Sequence, residues 1–157
     1  MDSNEQRQIL NFLYAVCSDR LEQYRNAQDE IKEPHFKELF SHCEQESAEM
    51  MSEIHQLLEQ LGLEWEEQST LSGDLHNLWI DFRSKLSGHD TKAILKALLC
   101  AEEANLAKYA QECDQIQLSE DSVQTLLLKH YGELKNAVQR LRDFIEKHEK
   151  ATEVHSE

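Results

Sequence analysis

Pro34 is the only proline in this chain of 157 residues, which carries just four glycines besides. Few breakers and an abundance of Glu, Gln, Leu, Ala and Lys favour helix from end to end. Apolar residues recur three and four apart, as on one face of a helix. The first long helix is expected from about Asn4 to Ile31, with Leu10, Leu13, Cys17, Leu21, Tyr24, Ala27 and Ile31 on its stripe. Pro34 suits a first helical turn. It opens a second helix to Leu61, with Phe36, Phe40, Cys43, Ser47, Met50, Ile54, Leu57 and Leu61 inside and Gly62 as the stop.

A polar connection, residues 63 to 73, precedes a short amphipathic helix over 74–86 with Leu75, Leu78, Trp79, Phe82 and Leu86 on one face. Trp79 reads as a core anchor and His76 as a local hydrogen-bonding group. Asp90 is the expected N-cap of a third long helix from Thr91 to about Cys113. Ser119, with Glu120 and Asp121 in the first turn, opens the last helix. That helix carries Val123, Leu127, His130, Leu134, Ala137, Leu141, Phe144 and His148, and the tail 151–157 is expected to fray. The short turn before Pro34 makes the first two helices antiparallel. The short helix can carry the chain back along the bundle, so the third long helix runs parallel to the second. The expected fold is all-α: a single ferritin-like four-helix bundle over residues 1–150, with a short fifth helix in the crossover.

The formal net charge of -15 argues against nucleic acid and anionic membrane surfaces as partners. There is no apolar run of transmembrane length, and MDSNEQRQ lacks the charged and apolar regions of a signal peptide. Cys17, Cys43, Cys100 and Cys113 form no CxxC pair and no zinc spacing, which suits reduced thiols in a cytoplasm.

Each long helix carries a polar residue near mid-length: Arg20, Glu46 with Glu49, Glu102, and His130 with Glu133. Carboxylates and imidazoles at that height are how di-iron bundles hold metal, through two Glu and two Glu-x-x-His motifs. They suit iron or manganese. Glu46, Glu49, Glu102, His130 and Glu133 are the candidate metal ligands. Yet the chain contains no Glu-x-x-His, and His130-x-x-Glu133 has the reversed order. Arg20, always charged, stands where a first-helix carboxylate is wanted. The favoured expectation is therefore a buried polar network of Arg20, Glu46, Glu102 and His130, with Glu102 paired to Arg20 or His130 and no metal cofactor.

Leu71-x-x-x-Leu75-His76-x-x-Trp79-x-Asp81, the turn Lys32-Glu33-Pro34, and Glu102-Glu103 followed by Tyr109 together resemble a bacterial family of ferritin-like four-helix bundles, a domain of unknown function. The resemblance spans roughly residues 8 to 145 and implies the fold, not an activity. Where that family carries an Asp-Gly-Glu-like run this chain has Asp19-Arg20-Leu21, and Val138 stands where members carry histidine. Two functions follow. One is a non-catalytic bundle acting by self-association, as a dimer, or through a protein partner, with Leu63 and Trp65 as surface candidates. The alternative is a di-iron or manganese carboxylate protein in iron handling or oxidative stress.

Overall fold

The computed structural model describes residues 1–66, 80, 82–84, 90–115 and 121–155. Every regular element among them is helical: α1 (Ser3–Glu30), α2 (Pro34–Gln60), α3 (Thr91–Gln115) and α4 (Ser122–His155). Ile80 and residues 82–84 are helical as well, and Phe82 is buried. His76, Trp79 and the rest of the expected short helix lie outside the described residues, as does Ser119.

The ends follow the local chemistry. Asp2 caps α1, its carboxylate accepting from the Glu5 amide at 2.8 Å. Glu33 precedes α2, with Pro34 in its first turn. Gly62, at φ +68°, closes α2: its own amide donates to the Glu59 carbonyl and the Leu63 amide reaches back to that of Leu58. That pair of bonds satisfies the last carbonyls and needs a left-handed residue, which glycine supplies without strain. Asp90 accepts from the Lys92 amide at 3.1 Å and starts α3. Asp121, rather than Ser119, caps α4, accepting from the Val123 amide at 2.8 Å. Aspartate is as good an N-cap as serine, and it stands next to the apolar run. α4 runs on through Ala151 to His155, since no breaker intervenes.

Side-chain pairs fix the directions. Asn11 meets Glu64, Arg20 meets Glu46 and Arg25 meets Glu44, so α2 descends as α1 rises. Cys17 meets Tyr109 while Tyr24 meets Glu102, so α3 also runs against α1. His130 faces Glu53, Arg140 faces Glu46 and Phe144 faces Phe36, so α4 runs against α2. α1 and α4 thus share one direction, and α2 and α3 the other.

The core is in two parts. One apolar cluster joins Tyr24, Ile31, Phe36, Phe40, Ile94, Leu98, Leu141 and Ile145. The other joins Leu10, Leu13, Met50, Ile54, Leu58, Val123, Leu127 and Leu134 at the opposite end. Five stripe positions, Leu21, Leu57, Leu61, Phe144 and His148, are only partly buried, against the sequence reading. Leu58 is buried where Leu57 and Leu61 were expected, and Ile145 where Phe144 was. A strict alternation of three and four averages 3.5 residues per turn and drifts about 20° per heptad against a straight helix. By the last turns the inner face has moved by one residue. In α1 the inward position belongs to Arg20, and Leu21 lines an open groove with Tyr14, Ala48 and Met51.

A candidate functional site at mid-bundle

Between the two apolar clusters lies a polar layer. Arg20 from α1 and Glu102 from α3 are both fully buried. Arg20 Nε donates to Glu102 Oε1 at 2.9 Å and Nη2 to Oε2 at 3.0 Å. This is the two-pronged pairing that a planar guanidinium makes with a carboxylate. The Tyr24 hydroxyl donates to Oε2 at 2.7 Å, and Asn105 Nδ2 to Oε1 at 3.3 Å. Both Glu102 oxygens are therefore engaged.

Arg20 Nη1 points at Met50 Sδ, 3.4 Å away, and Nη2 lies 3.7 Å from Glu46 Oε1. The other Glu46 oxygen takes Arg140 at 3.4 Å. Burial works against the Arg20 charge, but Glu102, with Tyr24 and Cys17 adding, outweighs it and holds the guanidinium protonated. Burial raises both Tyr24 and Tyr109, with the Glu102 charge adding at Tyr24 and Cys17 at Tyr109. It also pushes the Cys17 and Cys43 thiols up to about 11. The layer thus holds the Arg20–Glu102 ion pair with Glu46 and Arg140 at its edge, and phenols and thiols that keep their protons at neutral pH. None of these is an activated nucleophile.

The thiols give a direct check. Cys100 is exposed, Cys113 is half-buried, and Cys17 and Cys43 are buried. With Ellman's reagent, Cys100 should react first and Cys113 more slowly. Cys17 and Cys43 should react only on unfolding; prompt reaction of all four thiols in the native state would contradict the burial.

The residues expected to bind metal divide into separate groups. Glu102 and Glu46 belong to the arginine layer, and Glu49 is exposed on α2. His130 and Glu133, three apart on one face of α4, meet Glu53 of α2. His130 Nε2 is 3.6 Å from Glu53 Oε1, and neither ring nitrogen has a hydrogen-bond partner. Burial pulls His130 down to about 4, against the opposing pull of Glu53, so the imidazole is neutral at pH 7. Burial also raises the Glu133 carboxyl, with Glu53, Glu46 and Glu49 adding to the rise and Lys129 opposing it.

Glu53 was missed in the sequence. The signal was the series Glu46, Glu49, Glu53 at helical spacing along one flank of α2, but only the α2–α4 register shows which member meets His130.

A family model described as a domain of unknown function, DUF2383, matches residues 5–115. That is more than two-thirds of the chain. The chain belongs to this family. No curated protein and no solved structure matches it. Arg20, Glu46, Glu53 and Glu102 fall within the DUF2383 match, whereas His130 and Glu133 lie beyond its end. The pairing of α1 with α3 at mid-bundle is thus contained in the DUF2383 region, and α4 supplies the rest. No helix among the described residues is long and apolar enough to cross a membrane.

Proposed function

We propose that this DUF2383 protein is a ferritin-like bundle in which the Arg20–Glu102 ion pair stands in place of a mid-bundle metal centre. It works without catalysis, by self-association as a dimer or by binding another protein. The observation that carries this reading is the saturation of Glu102: Arg20, Tyr24 and Asn105 already occupy both oxygens. A carboxylate so engaged has no lone pair left facing an open position, and a metal ion beside Arg20 would meet a fixed positive charge. The helix directions support the ferritin-like label, since two parallel neighbours in sequence, α2 and α3, require a crossover.

Exposed apolar side chains support association. Trp65 is 45% exposed and Leu128 51%. Both lie toward the end of the bundle where α1 and α4 begin. The acidic charge supports a protein partner over nucleic acid or membrane, and four free thiols support a cytoplasmic setting.

The test pairs two measurements. Ferrous iron with oxygen or peroxide should be oxidised at the rate of buffer alone, and sedimentation velocity should give a dimer that Trp65→Ser weakens. Protein-dependent iron oxidation lost in the Arg20→Met/Glu102→Gln variant would overturn the non-catalytic reading. A monomer at all concentrations would overturn the dimer. The second reading, iron or manganese handling, is favoured by one feature, the Glu53–His130–Glu133 group.

A further inference from the structure

We infer that Glu53, His130 and Glu133 form a binding site for a single divalent transition-metal ion, set between α2 and α4 and apart from the Arg20–Glu102 layer. One donor atom from each residue lies within 4.8 Å of the other two. Around a tetrahedral ion with bonds of about 2.0–2.1 Å, donors stand roughly 3.4 Å apart. The remaining contraction is within reach of Glu53 and Glu133, whose side chains are 31% and 32% exposed and can change rotamer.

The second observation is His130 itself. It is fully buried, yet both ring nitrogens lack a hydrogen-bond partner, and Nε2 faces the Glu53 carboxylate. Buried polar groups are nearly always satisfied, so an orphaned imidazole needs an explanation. A metal ion on Nε2 accounts for that nitrogen, because it uses the lone pair that no donor uses here. One imidazole with two carboxylates is a ligand set that suits zinc, manganese or ferrous iron, and solvent on the exposed side completes the coordination.

Lys129 shows that the pocket collects positive charge. Its ammonium lies 2.5 Å from Glu53 Oε2 and 3.8 Å from Glu133 Oε1, while its side chain is half exposed. An ammonium held at the surface can swing into solvent when a doubly charged ion arrives. Glu46 and Glu49 add to the negative field at Glu133. The site is independent of the non-catalytic reading of the mid-bundle layer, since the two share no residue.

The experiment is a calorimetric titration of the chelator-stripped full chain with zinc chloride. One ion should bind per chain. Glu133→Gln, a half-exposed change that leaves the core intact, should weaken binding at least tenfold. So should His130→Gln, checked for fold by circular dichroism. Lys129→Met should strengthen binding severalfold by removing the competing cation. His35→Gln, which alters the separate His35–His148 ring pair, should leave it unchanged. Absence of binding, or binding that survives Glu133→Gln or disappears with His35→Gln, would overturn the proposal.

Discussion

Arg20→Ala should destabilise the protein by about 3–5 kcal/mol, because it leaves the fully buried Glu102 carboxylate without its counter-charge. Tyr24 and Asn105 would still donate, but two neutral donors do not replace a bidentate guanidinium. For a chain of this length each kcal/mol is worth roughly 2–4 °C, so the melting temperature should fall by roughly 6–20 °C. The informative comparison is the double variant Arg20→Met/Glu102→Gln. Methionine fills the space of the arginine stem, and glutamine still accepts from Tyr24. With both charges gone, most of the lost stability should return. Denaturant unfolding of the two single variants and the double variant closes a mutant cycle, and the single losses should exceed the double loss by well over 1 kcal/mol. Additive losses would mean that the two residues do not act as a pair.

The second large effect is on pH. In the metal-free protein His130 keeps a folded pKa of about 4, against about 6.5 when unfolded. Burial is the main cause, and Lys129 and Arg20 push the same way, while Glu53 pulls against them. The unfolded chain therefore takes up a proton as pH falls below 6.5, and the folded chain does not follow until about 4. The contribution is fully present above pH 6.5 and disappears across that window, an effect of about 3 kcal/mol. Unfolding in the presence of chelator, at intervals from pH 7 to 4, measures it. His130→Leu, which cannot titrate, should flatten the decline in that range. The raised Glu133 carboxyl acts in the opposite sense, since the folded state binds its proton first and gains stability as the acid end is approached. A wild-type curve no steeper than that of His130→Leu would mean that the imidazole is not kept neutral by the fold.

These effects come from side chains whose placement was unequally legible in the sequence. The helices and most of their ends follow from Pro34, Gly62, Asp90 and the spacing of apolar residues. The junction of Arg20 with Glu102 was also legible, because each is a charge on an otherwise apolar stripe and each needs an opposite partner. What periodicity alone misplaces is the far end of a long helix, where Leu58 and Ile145 supplant Leu57 and Phe144 through accumulated phase. Glu53 was hidden for a different reason. Glu46, Glu49 and Glu53 are equivalent by composition and spacing, and only the register of α2 on α4 separates the one beside Arg20, the exposed one, and the one beside His130. Pairing between helices distant in sequence is not written in the period of either helix.

The decisive measurement is the iron content of the wild type and of the Arg20→Met/Glu102→Gln variant after anaerobic loading with ferrous iron and desalting, with fold checked by circular dichroism. If the mid-bundle layer is an ion pair and not a metal centre, the two proteins will hold the same amount of iron, and His130→Gln will hold less. If the folded Arg20→Met/Glu102→Gln variant loses iron that the wild type binds near one ion per chain, Glu102 is a metal ligand and the ion-pair reading is wrong.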